Sequence, residues 1–235
     1  MTYPHQPHNS NSHESGFVLS PGVAGLFGQP VVVVNAAALS RQPWANVRQD
    51  ATQLINDMGM ASARAQGLVN AHGVANPITV VNRLGETDAR VYILGQQEEG
   101  GPPVAVGLLK VGKKDLFHWD ADGRQRELRG MFCVLDFYVH EHWQRGGFGK
   151  YLFMSMLQNE GVDPSKLAYD RPSPKLIGFM RKHFGLTDYV PQQNKFVIFN
   201  QYFESQKDAG QRPASQWDSV NDRPLTARGI QHGRR

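Results

Sequence analysis

Residues 144–149 read QRGGFG, three glycines in six residues. They stand between the apolar, β-rich run MFCVLDFYVH at 131–140 and the helical pattern KYLFMSMLQNE at 150–160. A strand-to-helix turn leaves backbone N–H groups without partners at the helix start, and the helix dipole favours an anion there. Glycines tolerate positive φ and let a bulky anion reach those groups. A phosphate or pyrophosphate is the ligand such a loop suits. Two nucleotide motifs fail on residue identity. A P-loop ending at Gly149–Lys150 would need glycine at 144 and a Ser or Thr at 151, where Gln144 and Tyr151 stand. The dinucleotide fingerprint finds Gly147 and Gly149 but no third glycine at 152. What remains is Q-x-x-G-x-G, and a glycine-rich turn with no ligand would read the same way.

Few other residues have the type and setting for chemistry. Asp170, in YDRPS, ends a short strand just before a helix that starts near Pro172. It could accept a proton, and by its position alone it reads first as a helix N-cap. Cys133 is the single cysteine, so an intramolecular disulfide is impossible; in an apolar strand it reads by default as a small core residue. The histidines are scattered, and HEH at 140–142 is not the H-E-x-x-H of a zinc peptidase. No G-x-S-x-G elbow supports a hydrolase.

The elements that must position these residues follow from periodicity. VVVVN at 31–35 reads as a buried strand. Residues 44–69 place Val47, Ala51, Leu54, Ile55 and Met58 at helical spacing, ending near Gly67. ITVVNRL (78–84) and RVYILGQQ (90–97) read as a strand pair, PVAVGLLKVG (103–112) as the next strand and KDLFHWD (114–120) as a further one. The run through 131–140 is almost continuously apolar, which implies cover on both faces. A helix follows over 150–160, a strand over 166–170, a helix over 172–185 bounded by Pro172, Pro174 and Gly185, and a final strand over 195–203. The order predicts an α/β class, a mixed β-sheet flanked by helices in a single domain. Residues 1–29 read as a disordered tail, 30–203 as the domain and 204–235 as a disordered basic tail.

The chain has 235 residues and a net charge of +4. Residues 206–235 hold six Lys/Arg against three Asp, so the domain itself is near neutral, which argues against a dedicated nucleic-acid binder. No apolar run of about 20 residues predicts a membrane span, and the N-terminus lacks a secretory pattern.

The Q-x-x-G-x-G loop after a strand resembles the coenzyme-A loop of GNAT acetyltransferases. CVLDFYVHEHWQRGGFGKYLF (133–153), LAYDRPSPKLIGFMRKHFGL (167–186) and VPQQNKFVIF (190–199) together resemble the α-tubulin N-acetyltransferase family, a divergent GNAT branch. INDMGMASARAQGL (55–68), VYIL (91–94) and GLLKVGKKDLF (107–117) match in the same order, so the likeness covers roughly residues 45–203.

The resemblance implies a GNAT-like fold that binds acetyl-CoA, with no metal, and acetylates the luminal-loop lysine of α-tubulin in microtubules. It implies two cofactor segments. The first runs through Phe137, Tyr138, Val139, His140, Glu141, His142 and Trp143, then Gln144, Arg145, Gly146, Gly147, Phe148, Gly149 and Lys150. The second runs through Ser173, Pro174, Lys175, Leu176, Ile177, Gly178, Phe179, Met180, Arg181 and Lys182. Asp170 is implied as the acceptor of the lysine proton, with Cys133 and Gln66 as further catalytic positions. Lys110, Lys113, Lys114 and Arg171 are expected to face acidic tubulin, although Asp115 places an acid where the family pattern has none. The expected setting is a monomer in the cytoplasm on the cytoskeleton, the axoneme of a cilium or flagellum included, with neither nucleic acid nor membrane as a partner. The alternatives are another lysine or amine as acceptor, or a microtubule-binding protein with a vestigial cofactor site.

Overall fold

In the computed structural model the described residues are 12–13, 15–86, 88–97 and 99–208. Residues 209–235 of the expected C-terminal tail lie outside this set, as do residues 1–11 and 14 of the expected N-terminal tail. One eight-stranded sheet forms the centre. Its strands are β1 (Ser12–His13), β2 (Gly16–Val18), β3 (Val31–Val34), β4 (Arg90–Gln97), β5 (Pro103–Trp119), β6 (Gln125–Val139), β7 (Ala168–Asp170) and β8 (Phe196–Ile198). The helices are α1 (Pro21–Ala24), α2 (Arg48–Ala65), α3 (Phe148–Glu160), α4 (Pro174–Phe184) and α5 (Gln201–Asp208). β5 is the spine: β4 lies on one edge, while β6 and the short β2 share the other. β6 then pairs in parallel with β7, and β7 in antiparallel with β8.

Alternation along β4 sorts the core into two layers. Val91 and Ile93 pack with Leu54, Ile55 and Met58 of α2. Tyr92 and Leu94 pack on the opposite face with Leu152, Phe153 and Met156 of α3 and Met180 of α4. Each such buried aliphatic or aromatic side chain contributes about 1.5–3 kcal/mol. Cover on both faces was expected of the apolar run in β6, and the structure has it.

Several local expectations are corrected. Residues 16–24, expected in a disordered tail, add β2 and α1, with Val23 buried. Residues 78–84 are not a strand: Val81–Glu86 is a 3₁₀ turn, and Asn56 Oδ1 of α2 accepts the Val81 amide at 2.9 Å. The segment's polar groups are met by side chains instead of a sheet ladder: Asn56 of α2 for Val81, Lys110 of β5 for Ile78 O and Asp136 of β6 for the Thr79 hydroxyl. The expected strands at 103–112 and 114–120 are one, β5, which continues with β6 into a hairpin closed at Asp120–Arg124. The final strand stops at Ile198, and Gln201 begins α5.

Candidate active site

The sheet opens beside β6. The β6–β7 ladder holds only Cys133 to Ala168 and Val134 to Tyr169. Beyond that point β6 runs on to Val139 with no ladder partner on its β7 side. A β-bulge marks the parting: Lys110 pairs with Asp136 and Val111 with Val134, so Leu135 is the extra residue. The bulge inverts the side-chain alternation. Phe132 and Val134 share a cluster with Phe137 and Val139, while Met131, Cys133 and Leu135 belong to another. The backbone groups of the bared edge have no strand partner among the described residues, apart from Val139 O, which accepts a side-chain bond from the loop that follows.

The glycine loop lies at the far end of this edge. Gln144 Nε2 donates to Val139 O at 2.9 Å and staples the loop to the end of β6. Trp143 is buried against Phe148 at 4.8 Å between ring centroids, and its Nε1 donates to Ser15 O. Two left-handed residues, Arg145 (φ 67°) and Gly147 (φ 88°), bend the chain into α3. Gly147 caps the helix without a side-chain bond, and Tyr151 is the first amide to bond back, to Gly147 O at 2.9 Å. The Phe148, Gly149 and Lys150 amides find no acceptor among the described residues, so three donors at a helix start face outward. The loop therefore fits a phosphate. A Cβ at Gly147 would meet no protein atom within 4 Å, so glycine is required there by its backbone angle. Gly149 instead sits over Phe137, whose Cζ would lie 3.4 Å from an added Cβ.

The second expected segment faces the same opening. Ser173 caps α4, its Oγ accepting the Leu176 amide at 3.2 Å. Lys175, Gly178 and Lys182 are exposed at spacings of three and four, on one face of α4. Phe179 stands 5.6 Å from Phe137 and 5.5 Å from Phe153, making an aromatic wall between α4 and β6. Not every residue of the two segments can touch a ligand through its side chain. Tyr138 is buried under α2 with its hydroxyl on Glu141, His140 Nδ1 accepts the His142 amide, and Trp143 and Met180 are buried in the core. These positions hold the loop and the cleft in shape.

Asp170 ends β7 where the ladder stops. Since Ser173 caps the following helix, Asp170 is released from that duty. Its carboxylate receives Arg171 Nε at 2.9 Å and Nη2 at 3.1 Å, and this pairing raises the Arg171 pKa, with Asp136 adding to it. Arg171 takes φ 42°, which turns the chain sharply at the cleft. Cys133 is fully buried, its Sγ on Met131 O at 3.1 Å. Burial first, and the Asp170 charge second, push its thiol up to about 12. It is a protonated, packed group at neutral pH, suited to shaping the site and not to nucleophilic attack.

Gln66, at the end of α2, reaches a group with no sequence signal beyond one acid in an apolar strand: Asp136. This carboxylate is 4 % exposed. It accepts from Gln66 Nε2 at 2.9 Å, Ser62 Oγ at 2.7 Å and Thr79 Oγ1 at 2.6 Å. Burial raises its pKa, and the three donated bonds and Lys110 oppose that rise. Lys110 is corrected as a docking residue: it is 5 % exposed, with Nζ on Ile78 O at 3.0 Å. Lys113 and Arg171 are exposed, as a contact with an acidic partner requires. Asp115 Oδ1 accepts the Gly130 amide at 2.6 Å and so is engaged within the hairpin. Among the described residues no cluster of His, Cys, Asp and Glu could hold a metal, and no helix is long and apolar enough to cross a membrane.

The model of the GNAT acetyltransferase, Mec-17, family matches residues 20–227. An alpha-tubulin N-acetyltransferase of Tetrahymena thermophila is 48% identical over 157 residues, covering 67% of this chain and 36% of that protein. Its counterpart in Trichoplax adhaerens is 48% identical over 161 residues, 67% of each chain. The one in Aedes aegypti is 39% identical over 193 residues, 78% of this chain and 67% of that protein. This chain thus spans about a third of the Tetrahymena relative's length and about two thirds of the other two. A split sheet with a glycine loop of free amides at one end and an acid at its lip suits acyl transfer from a phosphate-bearing donor, and with the family match over most of its length this chain belongs to the GNAT acetyltransferases of the Mec-17 family.

Proposed function

We propose that this chain transfers the acetyl group of acetyl-CoA to the side-chain amine of the luminal-loop lysine of α-tubulin, by direct attack in a ternary complex. The observation that carries the reading is the parting of β6 from β7 at Val134 and Tyr169, with Asp170 on the lip and the glycine loop at the far end. The names of the similar proteins support α-tubulin as the acceptor.

Acetyl-CoA, when bound, supplies an activated thioester. The amides of Phe148, Gly149 and Lys150 are the groups to hold its phosphates, joined by Lys175 and Lys182 from α4. The open N–H groups of β6 are placed to stabilise an oxyanion. Asp170 draws in the acceptor ammonium and takes its proton, directly or through water. Lys113 and Arg171 meet the acidic tubulin surface. The protein works as a monomer in the cytoplasm, on cytoskeletal or axonemal microtubules. The test is incubation with acetyl-CoA and assembled microtubules, followed by mass spectrometry of tubulin peptides. Modification confined to the luminal lysine is the expected result; acetyl-CoA binding without tubulin modification would send the search to another amine.

A further inference from the structure

The Asp136 network has a direction. An ionised carboxylate only accepts, and a hydroxyl has one proton to give. Ser62 and Thr79 both spend theirs on Asp136. Ser62 Oγ then has only lone pairs left, and Gln66 Nε2 donates to it at 2.8 Å as well as to Asp136. Both groups that Gln66 meets are acceptors, so its NH₂ must turn inward. Its Oε1 is left pointing away from the network, on a side chain that is partly exposed.

We propose that Asp136 is a positioning residue for acetyl transfer, orienting the Gln66 amide so that Oε1 is presented as an acceptor to the incoming amine substrate; this rests on the activity proposed above. A lysine ammonium and its neighbouring backbone N–H groups are donors only, and a reversed amide would offer them NH₂. The joint is built tightly. A Cβ on Gly59 would lie 1.9 Å from Thr79 O, so only glycine lets α2 press on the segment that carries Thr79. Gly59, Ser62 and Gln66 recur at helical spacing on that face, and Lys110 fastens the adjacent Ile78. Asp136 sits at the bulge where β6 parts from β7, and its charge reaches Arg171, the partner of Asp170. One buried carboxylate thus ties the orientation of Gln66 to the mouth of the cleft.

A double-mutant cycle tests this. Asp136→Asn, Gln66→Ala and the double variant are assayed for transfer from acetyl-CoA to polymerised tubulin, with acetyl-CoA affinity and Tm measured alongside. Loss of a hydrogen bond to a charged donor predicts a fall in kcat/KM of about 10- to 100-fold for Gln66→Ala. Asp136→Asn should fall comparably, with acetyl-CoA affinity unchanged, and the double variant should be no worse than the poorer single, since groups acting through one another are not additive. Additive losses, or an Asp136→Asn variant at wild-type rate, overturn the proposal. Should Asp136→Asn not fold, Ser62→Ala replaces it in the cycle, with the same two outcomes deciding. Wild-type protein that leaves tubulin unmodified refutes the substrate reading and this proposal with it; active wild type with an additive cycle refutes the proposal alone.

Discussion

Asp170→Asn tests the proposed proton acceptor apart from stability. The carboxylate is held at the end of β7, 13% exposed, and is paired with Arg171, whose side chain is 46% exposed. An ion pair whose cation is half open to solvent contributes on the order of 1 kcal/mol. The helix that follows keeps its cap, because Ser173 supplies it. Asparagine is nearly the same size and still accepts from Arg171. The expected fall in Tm is therefore no more than about 4 °C for a domain of this size. Turnover should behave differently. Removal of the proton acceptor costs about 10²–10⁴-fold, equivalent to about 2.7–5.4 kcal/mol at 1.36 kcal/mol per decade. Acetyl-CoA affinity should stay near wild type, since the loop amides are untouched. Initial rates on polymerised tubulin with labelled acetyl-CoA, calorimetric binding of acetyl-CoA and a thermal melt give the three numbers. A rate within about threefold of wild type would remove Asp170 from the mechanism. A rate loss matched by an equal loss of folded protein would make it structural.

Gly147→Val should weaken acetyl-CoA binding, because its φ of 88° costs a β-branched residue about 1–2 kcal/mol and a relaxed loop would turn its amides away; unchanged calorimetric affinity would remove the loop from the binding site. Cys133, with its thiol near 12 and fully buried, should resist iodoacetamide at pH 8 until the protein unfolds; rapid labelling of native protein by mass spectrometry would contradict that. His118 stacks 4.6 Å from Phe203, is 2 % exposed and has an unpartnered Nδ1, and burial lowers its pKa. Below about pH 6.5 the unfolded chain then binds the proton more readily, so stability should hold at neutral pH and decline as pH falls through that value. His140 and His183 share the direction, so the informative quantity is the smaller decline in Tm from pH 7 to pH 5 expected of His118→Phe; an unchanged decline would count against it.

The sequence by itself determined what depends on local pattern. A helix within 44–69, the glycine turn into α3, the Gly185 end of α4 and the apolar strand through 131–139 are set by residue spacing and by glycine at positive φ, which act over a few residues, whereas the cap of α4 fell to Ser173 and not to Asp170. The turn that leaves amides unpaired in QRGGFG was legible for the same reason: orphan amides at a helix start are a local property. What the tertiary structure decided are features that need partners far along the chain. Residues 78–84 have a strand's composition, yet side chains of α2, β5 and β6 take their polar groups. Lys110 looks like a surface charge until Ile78 O covers it. The bulge that opens β6 from β7 arises from the register between two strands, which no single strand encodes. Asp136 reads as one polar interruption in an apolar run; its meaning comes from Ser62, 74 residues away, Thr79, 57 away, and Gln66, 70 away. A buried charge persists only where its hydrogen bonds are supplied, and here only the folded chain brings those donors together.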